Sequence, residues 1–354
     1  MDFSGNNLAA VLHGVNDLRL DQTPIPEPKD GEVLLKISCV GICGSDYHYY
    51  THGGCANTFL TKPTVLGHEG SGTVFKLGKN VNNLNIGDRV AIEPGVACSR
   101  CKFCRQGRYN LCIDVKYSGI CPSNGSLTRY FAHAADFCFK VPDHVSMEEA
   151  AMVQPLSIGV HACKRAGIKL ASTCLITGSG PIGLVTLLTA KAMGASKVLI
   201  TDILENRLQI AKQCGADCTL LVKPDDDIKK LGKLVKEILG KEPEITIDCC
   251  GNQETISLCL EVTEIGGNFI LVGLAATTVT VPLTSVLNKE IDIKGVQRIG
   301  YGDYPTAVSL IASGKVDVKP LITHNFNLEN ILDAFTLALG GIGNDVKIMI
   351  HCDK

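Results

Sequence analysis

Residues 172–202 read STCLITGSGPIGLVTLLTAKAMGASKVLITD, and their order decides the fold. An apolar run, Cys174 to Thr177, enters Gly178-Ser179-Gly180-Pro181-Ile182-Gly183. An apolar helical pattern follows, and a β-rich run from Lys197 to Thr201 ends at Asp202. Gly178 permits the tight strand-to-helix turn, Gly180 lets the backbone approach a pyrophosphate, and Gly183 lets helix and strand pack closely. Pro181 suits a first helical turn, which has no use for its missing N–H. The free N–H groups of that turn face phosphate charge. A bare GxGxxG also occurs in ordinary tight turns. This one has its strand, helix, second strand and an acid about 20 residues on, which together predict dinucleotide binding. Asp202 would accept hydrogen bonds from the adenosine ribose and repel a 2′-phosphate, favouring NAD over NADP. Arg207, close by, works against that preference.

Downstream the chain keeps alternating. Helical patterns over Arg207–Cys214, 225–239, Glu254–Val262 and strand patterns over Ile245–Cys250, Asn268–Val272 and Ile291–Lys294 predict parallel strands with crossover helices. Upstream, β-like runs at Leu8–Leu12, Val33–Val40, Gly72–Leu77 and Asp88–Ile92 are split by prolines and glycines. Ser146-Met147-Glu148-Glu149 fits a capping box, and Pro155 starts a helix through Ala166. The tail predicts helices at Tyr304–Ala312 and Asn330–Leu339 and a strand at Val346–Ile350. The expected division is a nucleotide domain at 154–299, with 1–153 and 300–354 forming the other domain.

The 354 residues are enough for two domains, with 45% apolar residues but only 5% aromatic, so aliphatic side chains build the core. Net charge is −2 without a basic block, which argues against nucleic acid and anionic membrane partners. No apolar run reaches spanning length, and the N-terminus does not resemble a secretion signal. The 17 cysteines therefore read as reduced thiols and metal ligands in the cytoplasm.

Cys98, Cys101, Cys104 and Cys112 form a C-x2-C-x2-C-x7-C cluster within a lobe at about 95–115. Four thiolates at such spacing can surround one tetrahedral zinc and close its shell, which makes the site structural. Cys43, His68 and Glu69 are a second candidate set. A thiolate, an imidazole and a carboxylate would leave a fourth zinc position open for chemistry. Spacing alone favours ordinary packing there.

With Gly41-Ile42-Cys43-Gly44-Ser45-Asp46, Gly67-His68-Glu69, the four-cysteine lobe, residues 155–162 (PLSIGVHA) and the GSGPIG turn, the chain resembles the zinc-dependent medium-chain dehydrogenases, within them the polyol branch. The resemblance runs over essentially the whole length. It implies an α/β fold in which a Rossmann-type doubly wound parallel sheet joins a GroES-like, mainly β catalytic domain. It implies two zinc ions per subunit, the catalytic one on Cys43, His68 and Glu69, and a cleft where the nicotinamide meets the catalytic zinc. The implied reaction is reversible oxidation of a polyol, sorbitol or xylitol, at C2 to the ketose. By the same resemblance Ser45 and His48 bond the substrate hydroxyl or pass its proton outward, and Tyr49 and Arg298 contact the polyol. Ile182, Asp202, Arg207, Val272, Gly273, Leu274, Val296 and Arg298 contact the cofactor. A homotetramer is implied as well.

Three departures stand out. Gln154 replaces the Glu usual before Pro155. An amide still exchanges hydrogen bonds but takes up no proton near neutral pH. Zinc with Cys43 and Glu69 is then neutral overall, which lowers the pKa of a bound hydroxyl relative to a centre with one more Glu. After Arg298 the chain reads Ile299-Gly300-Tyr301, with an apparent one-residue insertion: Ile299 replaces a Tyr expected directly after the Arg, and Tyr301 is the candidate to substitute for it from a shifted loop. Tyr117-Ser118-Gly119 lacks a bulkier aromatic pair, predicting a roomier or more polar pocket. The competing readings are a zinc dehydrogenase of another secondary alcohol, such as a butanediol or threonine, and a non-catalytic NAD-binding relative.

Overall fold

The structure is a computed structural model that describes residues 6–55, 57–274, 278–340 and 345–353. The chain divides into two compact units. One comprises residues 1–154, 300–313 and 322–354, the other 155–299 and 314–321.

The second unit is built on a six-stranded parallel sheet. Its order is Cys218–Leu221, Lys197–Asp202, Thr173–Thr177, Ile245–Asp248, Asn268–Leu271, Asp292–Gly295. Numbered along the chain, that order is 3-2-1-4-5-6, which is the doubly wound dinucleotide-binding topology. The central strand Thr173–Thr177 is buried at every position, as a strand covered on both faces must be. Its helix, Pro181–Ala192, buries Gly183 through Ala190 without a break. Surface helices follow their caps. Asp227 accepts the Lys230 N–H at 2.9 Å and Gly240 closes the helix Ile228–Leu239 in the left-handed region. Asn252 likewise caps Gln253–Val262. Residues 314–321 cluster with this unit, with Val316, Val318 and Leu321 buried.

The first unit holds a seven-stranded, mostly antiparallel sheet. The path runs Cys138–Lys140, Arg89–Ile92, Glu69–Leu77, Glu32–Gly41, Lys347–His351, Ile322–Asn327, with Tyr130–Ala134 also pairing Glu32–Gly41. The C-terminal strand therefore lies beside Glu32–Gly41, with Met349 opposite Gly41 and Gly41 in turn opposite Glu69. This register draws residues 41, 69 and 347 into one neighbourhood. Ser146 and Glu149 form the expected capping box, leading into Met147–Ala151 and then Val153–Ala166.

Several elements were not evident in the sequence pattern. The helix Gly44–His52 follows Cys43 directly. Cys218–Leu221 is an edge strand, Ile322–Asn327 a strand beside the C-terminal one, and Leu283–Lys289 a short helix. All are short or lack a clean apolar period. Among the described residues no helix is long and apolar enough to cross a membrane.

Candidate metal centres and nucleotide site

Cys43 is the N-cap of helix Gly44–His52. Asp46, at the third helical position, accepts the Cys43 N–H at 2.9 Å through Oδ2 and the Gly67 N–H at 3.2 Å through Oδ1. One buried carboxylate thus ties the Cys43 turn to the turn before His68. The C-x-x-D spacing of Cys43 and Asp46 was the available sequence signal for this brace. Gly67 is fixed by its φ of +90° and by Leu127, whose Cγ a Cβ would approach to 2.6 Å. A thiol, an imidazole and a carboxylate 26 residues apart at most are so brought together: one donor atom each from Cys43, His68 and Glu69 lie within 4.8 Å of one another.

His68 and Glu69 are buried, and His68 Nδ1 has no hydrogen-bond partner among the described residues, standing 3.6 Å from Asp46 Oδ1. Burial disfavours the imidazolium, but Asp46 and Cys43 outweigh it and hold the ring's pKa well above its usual value. An arriving cation would displace that proton. The orphaned ring nitrogen and the sulfur–nitrogen–oxygen donor set fit zinc. Lys347 Nζ donates to both Glu69 oxygens, at 2.6 and 2.9 Å, and to the Ile42 carbonyl at 3.0 Å. Burial works against this ammonium, and the Glu69 carboxylate more than compensates, so its pKa is raised. Sequence reasoning missed Lys347 because 278 residues separate it from Glu69.

Around this set, Gln154 is buried and its Nε2 donates to the Tyr117 hydroxyl at 3.2 Å; the Tyr117 ring lies 5.8 Å from that of His68. Ser45 is half-buried and His48 exposed, three residues apart on one helix. Tyr49 lies wholly in the hydrophobic core of the first unit, its hydroxyl without a hydrogen-bond partner among the described residues. Tyr301 is 78% exposed whereas Ile299 is buried. Arg298 belongs to the second unit and takes a left-handed φ of +56°, uncommon for a residue with a side chain.

The four-cysteine lobe is likewise assembled, with all four sulfurs within 4.8 Å. Cys101 and Cys104 sulfurs are 3.5 Å apart and Cys98 and Cys104 4.0 Å, near the ~3.8 Å edge of a tetrahedron of thiolates around zinc. The Cys104 N–H aimed at the Cys101 sulfur pulls that thiol down to about 6. Donor chemistry and spacing again fit zinc. A further group, Cys39, Glu148 and His351, is close together, but both ring nitrogens of His351 are engaged, Nδ1 by Cys39 at 3.5 Å and Nε2 by Asn325 at 3.0 Å.

In the second unit Gly178 has a φ of +87°, and a Cβ on Gly183 would sit 1.8 Å from the Gly178 carbonyl oxygen. Gly180 caps the helix and Pro181 is its first residue. Asp202 accepts the Ser179 N–H at 2.7 Å and the Leu204 N–H at 2.9 Å, so it braces the turn. Ser179 Oγ and Arg207 Nε are buried without partners among the described residues, and an Arg207 guanidinium nitrogen lies 3.9 Å from where a Gly180 Cβ would be. Orphaned polar atoms beside a turn with no side chain at Gly180 fit a dinucleotide phosphate. The turn at Val272 and Gly273 is held by both N–H groups on the Asp248 carbonyl, at 2.9 Å each, while Leu274 is exposed and Ile182 and Val296 are half-buried. Asp248, which also accepts from Thr177 Oγ1 and the Gly251 N–H, was another residue sequence reasoning did not single out.

Residues 29–143 match the alcohol dehydrogenase GroES-like domain and residues 181–313 the zinc-binding dehydrogenase domain. The chain belongs to the zinc-dependent medium-chain dehydrogenases, oxidoreductases that pair zinc with a nicotinamide cofactor. Among named relatives it is similar to the sorbitol dehydrogenase of Gallus gallus, at 48% identity over 353 residues covering 100% of this chain and 98% of that one. Among solved structures it resembles an Escherichia coli oxidoreductase of unknown specificity, at 32% identity with a TM-score of 0.92, covering 99% and 100%. It also resembles 2R,3R-butanediol dehydrogenase from Bacillus subtilis, at 28% identity with a TM-score of 0.87, covering 98% and 99%.

Proposed function

We propose that this protein catalyses reversible, NAD-dependent oxidation of a polyol at C2 to the ketose, sorbitol to fructose, with xylitol also a substrate. The observation that carries the reading is the convergence of Cys43, His68 and Glu69 within 4.8 Å in a chain 48% identical to a sorbitol dehydrogenase over its full length. Cys43, His68 and Glu69 would hold a zinc ion that would supply Lewis-acid chemistry at the substrate hydroxyl, and the glycine turn at 178–183 would hold a nicotinamide cofactor that would supply the hydride acceptor. The four cysteines hold a second, structural zinc.

The chain's own residues orient and exchange protons. Ser45 and His48 share a helix face, Ser45 half-buried beside Cys43 and His48 in solvent, which suits a proton path outward. Gln154, held by Tyr117, offers a neutral amide to the substrate. For Arg298 and Tyr49 a polyol contact is inferred from the family resemblance alone; Tyr49 is fully buried in the core of the first unit. Asp202 at the end of its strand favours NAD. With the cysteines read as reduced thiols and metal ligands, the setting we infer is the cytoplasm. The exposed Leu283, Leu287 and Ile293, near the sheet-edge strand Asp292–Gly295, support self-association, for which we infer a homotetramer.

Gln154, together with Ile299 buried where a tyrosine was expected and Tyr301 turned to solvent, favours a second reading, oxidation of a different secondary alcohol. Steady-state turnover on sorbitol, xylitol, a butanediol and threonine with NAD and NADP, alongside zinc counting, separates the two. Sorbitol and NAD should give the highest kcat/KM, with two zinc ions per chain. Cys43→Ala should lose one zinc and turnover while keeping its fold. Sustained sorbitol oxidation by that variant would overturn the ligand assignment.

A further inference from the structure

The side chain of Lys347 is as buried as that of Glu69, 2% exposed, and the two come from strands that are not neighbours but flank Glu32–Gly41 on either side. Gly41 stands between them. A Cβ there would lie 2.3 Å from Glu69 Oε2 and 3.2 Å from Lys347 Cδ, so a bare backbone position is what lets the pair meet across the intervening strand. All three ammonium protons have acceptors, two on Glu69 and one on the Ile42 carbonyl, immediately before Cys43. Both oxygens of the Glu69 carboxylate accept from this one lysine.

We propose that Lys347 is a positioning residue for the metal centre: it fixes the Glu69 carboxylate in the orientation that aims it toward Cys43 and His68. A carboxylate buried to this degree needs a donor to hold its orientation, and without one it turns away. The inference rests on the reading that Cys43, His68 and Glu69 hold zinc. Outer partners of this kind typically contribute ~10–100-fold in metal affinity.

The test uses full-length, zinc-loaded protein challenged with a chelator, with zinc per chain and kcat/KM read together. The zinc of the four-cysteine lobe serves as an internal control. Lys347→Met should weaken retention of one of the two ions by ~10–100-fold and leave the other unchanged. Lys347→Arg, which keeps the charge and the donors, should restore most of it. Equal or tighter retention in Lys347→Met overturns the proposal, since the lysine would then be a competitor for Glu69. Lys347→Met added to Glu69→Gln should cause no further loss, because the lysine acts through the carboxylate; a further loss overturns it. This pair leaves no buried charge unpaired and decides the matter by itself if the single variant does not fold. A wild-type chain that carries zinc only in the cysteine lobe refutes the assigned centre itself. Two ions in the wild type with no effect of Lys347→Met refute this inference alone.

Discussion

Replacing Glu93 by Gln should make this protein more stable as the pH rises, relative to wild type. The Glu93 side chain is buried, accepts the Tyr109 hydroxyl at 2.6 Å and senses the buried Asp303. Burial, opposed by the Tyr109 hydrogen bond and helped by Asp303, lifts its pKa from 4.5 to about 7. The folded chain therefore keeps a proton that the unfolded chain has released. Between pH 4.5 and about 7, this group removes stability as pH rises. At ~1.4 kcal/mol per pH unit the loss reaches ~3 kcal/mol. His133, whose Nε2 meets the Glu93 carbonyl at 2.8 Å, acts oppositely. Burial depresses its pKa from 6.5 to about 4, so it adds stability as pH rises through that window. The two slopes largely cancel in the wild type. Glu93→Gln keeps an acceptor for Tyr109 and removes one slope. Denaturant unfolding at pH 5 and pH 8, with zinc saturating in both proteins, should show the variant's advantage growing by ~3 kcal/mol. A gap independent of pH would mean that Glu93 is ionised in the folded chain, and the burial argument would fail.

Gly183→Ala would place a Cβ 1.8 Å from the Gly178 carbonyl oxygen, forcing helix Pro181–Ala192 off its strand at a cost of ~1–3 kcal/mol. Titration with NADH should show binding severely weakened, and an unaltered Kd would refute close packing as the reason for that glycine. Asp202→Ala should weaken NAD binding, since the Ser179 and Leu204 N–H groups lose their acceptor, and should narrow the NAD-to-NADP ratio of kcat/KM. A preserved ratio would place cofactor choice elsewhere. Gln154→Glu adds negative charge beside the proposed metal centre and should move the pH profile of turnover upward; an unchanged profile makes position 154 a bystander.

The nucleotide unit was readable because its determinants are local. Glycine spacing, a strand before, a helix after and Asp202 at the next strand's end all lie within residues 172–202, and backbone sterics leave that pattern few alternatives. The four cysteines were readable for the same reason, since 15 residues hold the whole donor set. Edge elements were not: Cys218–Leu221 and Ile322–Asn327 are only partly buried, so no clear alternation of apolar residues marks them. Cys43, His68 and Glu69 were candidates on spacing and only the fold brought them together, because a cap and a sheet register, not sequence distance, set their separation. Lys347 belongs wholly to tertiary structure, and so does the reach of Asp46 to Gly67, although its cap on Cys43 is local. A carboxylate that reads as a helix cap and a lysine near the C-terminus carry no mark of a metal centre. Only the pairing of Lys347–His351 with Glu32–Gly41, and of that strand with Glu69–Leu77, buries their charges beside the same three donors.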